Sequence, residues 1–149
     1  MDDSQLKLSN QICFPLYSVS RLITKAYKPF LDKMEITYPQ YLVLMVLWEN
    51  DGITINQITE KLLLNTNTLS PLLKRMEKME IIERNRSEKD ERSVIITLTK
   101  KGENLKNQAS CIPDDIAKVL MTENIQVADI MNLKNMLNEW IQLLSEKKD

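Results

Sequence analysis

A chain of 149 residues, 43% apolar and 28% charged, is long enough for one globular domain, or one domain with dimerising arms, and can bury a core. Two Gly and no His argue against a turn-rich β-sandwich or a phosphate-binding Gly loop, and exclude Ser-His-Asp triads, Cys-His dyads and His-containing zinc sites. The net charge of −1 hides a local excess: residues 74–101 hold nine basic and six acidic side chains, including four of the five Arg (Arg75, Arg84, Arg86 and Arg92).

The first residues, MDDSQLKLSNQ, show neither the basic nor the apolar region of a signal peptide. No apolar run approaches the roughly 20 residues of a membrane span. The expectation is a cytoplasmic chain with no membrane partner, whose thiols stay reduced unless they are redox-active. Ile12, Leu16, Val19, Ile23, Ala26 and Phe30 recur at three- and four-residue steps, which predicts an amphipathic helix. Pro15 predicts a kink or a late start to it. Thr37 is the expected N-cap of a second helix, with Pro39 in its first turn, that runs through Leu42, Met45 and Val46 to Trp48 and stops near Asp51-Gly52.

Asn56 to Leu63 reads as a short helix. Thr66 or Asn67 can cap the next, continuing from Leu69 to Met79 with Leu69, Leu72, Leu73 and Met76 as core and Pro71 near enough to its start to do little harm. After Glu80 the period changes: Ile81 to Arg84 and Ser93 to Leu98 read as two strands around the polar turn Ser87 to Glu91, a β-hairpin. Thr99 caps a further helix running toward Pro113. Ile130, Leu133, Leu137, Trp140 and Leu144 then follow a near-heptad spacing on a long C-terminal helix.

Helix, short helix, helix and charged hairpin is the order of a winged helix-turn-helix. The expected fold is mainly α with a small β-hairpin wing (α+β). Residues 37–99 would be the DNA-binding domain, and 1–36 with 100–149 a helical dimerisation region. In such a unit one helix enters the major groove while the hairpin reaches the backbone or minor groove. The terminal helices keep apolar faces that would bury each other across a two-fold axis. From the N-terminal turn of the recognition helix Thr66, Asn67, Thr68 and Ser70 can donate to phosphates or base edges, with Lys74 and Arg75 further along as phosphate contacts. Arg86 belongs to the same basic stretch and joins the candidate DNA contacts.

The stretch NTNTLSPLLKRMEKMEIIERNRSEKDERSVIITLTKKG resembles the recognition helix and wing of the multiple-antibiotic-resistance regulator (MarR) family. Gln11-Ile12-Cys13-Phe14 and Thr37-Tyr38-Pro39-Gln40-Tyr41 are similar to its peroxide-sensing branch, the organic-hydroperoxide-resistance repressors and staphylococcal redox regulators. The resemblance spans about residues 8–105. It implies a homodimeric repressor on a palindromic double-stranded operator, with no cofactor and no metal. It points to Thr68, Ser70, Lys74 and Arg75 on the helix, and to Arg92 entering the minor groove with Asp90 orienting it; an ordinary turn ion pair is the plainer reading of those two. The chain departs from the branch at Asn65 and Asn67, where Asp and Gly are usual; Asn still tolerates the left-handed backbone that Gly would take.

Cys13 can be read as a small buried hydrophobe or as a redox sensor. Pro15 would leave it near an uncapped helix start, where unpaired N–H groups favour a thiolate, and Tyr17 lies one turn on. The resemblance adds Tyr27 and Tyr38 as hydrogen-bond partners of the thiol. Cys13 and Tyr27 are 14 residues apart, about 21 Å along a continuous helix, so the contact would come from the partner subunit. In that reading an organic hydroperoxide oxidises Cys13 and releases DNA, with Cys111 or a low-molecular-weight thiol as the resolving thiol, although Cys111 reads more readily as a spectator. The alternatives are a MarR-type repressor released by a noncovalent phenolic or drug-like ligand, a thiol peroxidase, which lacks a His base, and a helical adaptor that binds no DNA.

Overall fold

The computed structural model describes residues 3–146. Residues up to Ser110 form one compact unit and those from Cys111 onward a second. Two short 3-10 turns, Asp3–Leu6 and Leu8–Asn10, lead into helix α1 (Cys13–Lys33). Pro15 produces the late start rather than a kink: it is the third residue of α1, where its missing N–H has no intrahelical partner to lose. Pro29, by contrast, sits inside α1 and denies the Lys25 carbonyl its usual donor.

Helix α2 (Tyr38–Glu49) is apolar on nearly every side and forms the centre of the unit: Tyr41, Val43, Leu44, Val46 and Leu47 are all buried. Its start matches the expectation, with the Thr37 N–H donating to Gln40 Oε1 at 2.8 Å in a capping box. Helix α3 (Ile55–Leu62) carries a second capping box, in which the Thr54 N–H donates to Gln57 Oε1 at 2.8 Å and the Gln57 N–H to Thr54 Oγ1 at 3.2 Å.

Helix α4 (Thr66–Lys78) is capped by neither Thr66 nor Asn67 but by Asn65, whose Oδ1 accepts the Thr68 N–H at 2.8 Å. Asn67 is therefore ordinary helix, and the left-handed residue of this turn is Leu63 (φ 53°). Pro71 falls at the sixth residue of α4, inside the helix, where it removes one bond to the Asn67 carbonyl. The predicted core of α4, Leu69, Leu72, Leu73 and Met76, is buried.

The hairpin strands lie at β2 (Ile82–Arg86) and β3 (Val94–Leu98), the first a residue or two later than predicted. Their register pairs Ile82 with Leu98 and Arg86 with Val94. A two-residue strand, β1 (Ile53–Thr54), adds to the other edge of β3 and gives the sheet order β1-β3-β2. Sequence periodicity could not show it, because two residues contain no period. Asp51 continues that edge with its side chain: Oδ1 accepts the Leu98 N–H at 2.9 Å.

Thr99 caps helix α5 (Lys100–Ala109), accepting the Gly102 N–H at 3.2 Å. The helix ends at Ala109 rather than reaching Pro113. In the second unit a separate helix, α6 (Ile112–Leu120), begins with Pro113 in its first turn, and Cys111 is its N-cap instead of a residue within the helix after the wing. Helix α7 (Val127–Glu146) follows, carrying the near-heptad residues, and none of its described residues is buried. Among the described residues no helix is long and apolar enough to cross a membrane.

Candidate nucleic-acid interface and thiol sensor

Thr66, Ser70 and Lys74 recur at four-residue steps and share one face of α4. Thr66, Asn67 and Lys74 are exposed and Ser70 is half-buried at the border with the buried Leu69 and Leu73. Thr68 and Arg75 are exposed but fall off that face. The Thr68 hydroxyl is moreover engaged in the cap, donating to Asn65 Oδ1 at 2.9 Å. Among the wing arginines, Arg84 turns back onto the fold and pairs with Glu77 at 3.5 Å, whereas Arg86 and Arg92 are exposed.

The wing tip is folded by Asp90. Its two carboxylate oxygens accept the Arg92 N–H at 3.0 Å and the Ser93 hydroxyl at 2.8 Å. The Ser93 bond first, and the Arg92 bond second, hold the Asp90 carboxyl below its ordinary range. Ser87 Oγ accepts the Lys89 and Asp90 N–H groups at 3.2 and 3.3 Å, closing the other side of the turn. Asp90 thus orients Arg92 through its backbone, leaving the guanidinium at the surface.

A cleft of about 150 Å³ brings Thr66 and Arg92 together with Thr54, Asn56 and Ser93. Thr54 and Asn56 belong to the start of α3 and were absent from the sequence-derived candidates. The available signal was the capping box Thr54…Gln57, which fixes a helix start at this point.

Cys13 is exposed at the first residue of α1. Its neighbour at the i+4 position, Tyr17, is also exposed, with the Arg21 guanidinium 5.4 Å from its ring centre. Tyr27 and Tyr38 meet edge-on with ring centres 5.0 Å apart, and both pack on buried Tyr41. Burial pushes both phenols up, Tyr27 further because of Tyr38 and Tyr41, so both keep their protons, and their capacity to donate, at neutral pH. Beside Tyr38 an open groove of about 490 Å³ runs along α1 past Ser20, Thr24 and Lys28 to Leu31. These residues lie on the face of α1 that begins with Cys13 and Tyr17. Cys111 is exposed in the other unit.

This architecture has close counterparts. The transcriptional regulator SarA/Rot family matches residues 25–109. The organic hydroperoxide resistance transcriptional regulator of Bacillus subtilis is 47% identical over 142 residues, 95% of each chain. The chain belongs to the MarR-type transcriptional regulators. Reduced AbfR bound to DNA, from a protein of Staphylococcus epidermidis, superposes on this MarR-type chain with a TM-score of 0.77 at 36% identity over 100% of each chain. The disulfide-formed state of AbfR, at 37% identity over 95% of this chain and 97% of that one, superposes with 0.63. The MarR-type assignment makes the chain a transcriptional regulator rather than an enzyme.

Proposed function

We propose that the chain is a homodimeric repressor that binds a palindromic operator and is released when an organic hydroperoxide oxidises Cys13. The observation that carries the reading is the placement of an exposed thiol at an uncapped helix start, on the α1 face that leads to two neutral, mutually packed phenols. Tyr27 lies about 21 Å along the same helix, so the phenols that would hold this thiol belong to the partner subunit. Structures of AbfR in DNA-bound, overoxidised and disulfide-formed states support a thiol-controlled DNA binder.

Dimerisation follows from surface chemistry. Phe14, Tyr17, Val19 and Leu22 on α1 are exposed, as are Met131, Leu133, Met136, Trp140, Ile141 and Leu144 on α7. A 20-residue helix with no buried side chain among its described residues gains little from its own hydrogen bonds in water; a second copy supplies the missing cover. On the operator, Thr66, Asn67, Ser70 and Lys74 face the major groove, with Thr68 and Arg75 toward its edges. Arg86 and Arg92 reach out from the wing, and Arg92 enters the minor groove. Residues 37–99 form the DNA-binding region, and residues 1–36 with 100–149 the dimerising region.

In the sensing step the Cys13 thiolate attacks the distal peroxide oxygen, the O–O bond breaks, and the alcohol leaves after taking up a proton. Cys13 becomes a sulfenic acid as the peroxide is reduced. A thiol, from Cys111 or a small molecule, then forms a disulfide with Cys13 and releases water. The sulfenate no longer fits its phenol donors, and the dimer leaves the geometry that matches its half-sites. A change from 99% to 1% DNA-competent dimer needs about 5.5 kcal/mol of differential stability, which a covalent change can supply.

The open groove beside Tyr38 supports a second reading, in which a phenolic or drug-like ligand releases the repressor without covalent change. A gel shift with wild type and Cys13→Ser, with and without cumene hydroperoxide, separates the two. Wild type is released and the Ser variant stays bound if the thiol is the sensor; release of both variants alike sinks the redox reading. A non-reducing gel of the same samples shows whether Cys111 is the resolving thiol.

A further inference from the structure

Trp48 lies at the opposite end of α2 from Tyr38, and a run of aromatic rings joins them. Tyr27 and Tyr38 each contact Tyr41, at 5.9 and 6.4 Å between ring centres, and Tyr41 meets Trp48 at 6.1 Å with planes 70° apart. Tyr41 is only 3% exposed, so these rings cannot shift without displacing close-packed neighbours. At the end of the run the Trp48 Nε1–H donates to the Gly102 carbonyl at 3.0 Å.

Gly102 is where the wing is rooted. A Cβ there would stand 2.2 Å from the Ile81 carbonyl oxygen. That same oxygen accepts the Thr99 N–H at 3.1 Å, while the Thr99 hydroxyl donates to the Glu80 carbonyl next to it at 2.6 Å, with the Ile81 oxygen as a longer contact at 3.0 Å. Ile81 directly precedes β2 and Thr99 directly follows β3, so both wing strands are anchored on this turn. Asp51, just past α2, fixes the end of β3 as well. The side-chain polar tie from the start of α2 to the end of α4 is far weaker: Gln40 Nε2 reaches the Met79 sulfur at 3.5 Å, a poor acceptor.

Resting on the redox reading above, we infer that Trp48 is a positioning residue that couples the Tyr27–Tyr38 pair to the wing. Displacement of the two phenols is passed through Tyr41 and the indole to Gly102, and from there to β2 and β3. Edge-on ring contacts have preferred geometries, and packed elements move between discrete arrangements rather than bending by degrees. The wing, which presents Arg86 and Arg92, is therefore the element to which the sensor is coupled.

Trp48→Phe keeps a ring and removes the donor. Binding is measured by anisotropy on a duplex that wild type selects from a random-sequence pool, before and after cumene hydroperoxide, with dimedone labelling of Cys13 read by mass spectrometry. The expected result is normal Cys13 labelling with an oxidised-to-reduced Kd ratio at least tenfold smaller than that of wild type. In parallel, wild type carrying 5-fluorotryptophan gives a fluorine resonance for each of Trp48 and Trp140, assigned by replacing either one. The Trp48 resonance moves on oxidation and stays still in Cys13→Ser. An undiminished Kd ratio with Cys13 labelled, or a stationary Trp48 resonance in oxidised wild type, overturns the coupling and leaves the sensor reading intact. Wild type in which Cys13 is neither labelled nor found in a disulfide after peroxide treatment overturns both. If Trp48→Phe does not fold, the fluorine resonance of wild type decides the matter alone.

Discussion

Replacing Gly102 by Ala sets two physical rules against each other. Gly102 lies in the first turn of α5, and by helix propensity alone Ala should stabilise the chain by about 1 kcal/mol. The added Cβ, however, would meet the Ile81 carbonyl oxygen at 2.2 Å and Leu98 Cδ2 at 3.0 Å. Leu98 can turn a methyl aside, but a backbone carbonyl inside a sheet root cannot. Overpacking of this kind costs about 1–3 kcal/mol. Retreat of the Ile81 carbonyl also loosens the bond it accepts from the Thr99 N–H, at roughly 1 kcal/mol. The net expectation for Gly102→Ala is destabilisation by about 1–3 kcal/mol, or a Tm roughly 3–12 °C lower for a chain of this size. Urea unfolding followed by far-ultraviolet circular dichroism measures it. A variant as stable as wild type, or more so, would refute the close approach and with it the rooting of the wing on Gly102.

Leu63 ends α3 at φ 53° and is 60% exposed. Leu63→Gly relieves about 1–2 kcal/mol of left-handed strain against about 0.5–1 kcal/mol of added chain entropy, so a small rise in the urea midpoint is expected and a fall would contradict it. The raised phenols of Tyr27 and Tyr38 make the folded state hold its protons longer. Their contribution is complete below the unfolded phenol value and is lost as pH rises through the folded values. A phenolate absorbance titration should show late-ionising phenol, and Tyr38→Phe should reduce that late component. The lowered Asp90 carboxyl has the opposite sense: its contribution is present above the unfolded carboxylate value and lost as pH falls through the folded one. Asp90→Ala should lower backbone order parameters at residues 89–93 alone; unchanged values there would show that the tip does not depend on it. With about seven phosphates neutralised per dimer, the log–log salt slope of DNA binding should lie near roughly −6, and a slope near −2 would exclude the proposed basic contacts.

The elements easiest to read in the sequence are those whose start signals are local. Thr37 with Gln40, and Thr99 three residues before Gly102, cap their helices through contacts within a single turn. The cap of α4 differs by one or two residues from the expected position because Asn65, Thr66 and Asn67 are all capping types, and only the 2.8 Å bond to the Thr68 N–H selects among them. The break between α5 and α6 is hidden because Pro113 suggests a helix end, whereas a proline in the first turn opens a helix. For the site, the exposed face of α4 follows from its periodicity. The Tyr27–Tyr38–Tyr41 cluster and the Trp48–Gly102 bond do not, since they join residues 11 to 54 positions apart and depend on how α1, α2 and α5 pack.

The scarcity of glycine, which first served to exclude whole fold classes, has a structural sense. Among the described residues four adopt positive φ, and three of them do so with side chains in place: Glu35 after α1, Leu63 after α3 and Glu80 after α4. Left-handed strain is tolerated there, at about 1–2 kcal/mol each, although glycine would relieve it. The two glycines that the chain does contain both stand at the base of the wing. Gly52, at φ 70°, turns the chain from α2 into β1 with Thr97 of β3 alongside, and Gly102 lets α5 touch the Ile81 backbone. Of these two, only Gly102 occupies a place that no side chain could share. The chain thus accepts strain at the ends of three helices and keeps an unobstructed backbone contact where the wing joins the domain. That is the arrangement expected if the fixed relation between α2, α5 and the wing matters more to the molecule than the stability of any single turn.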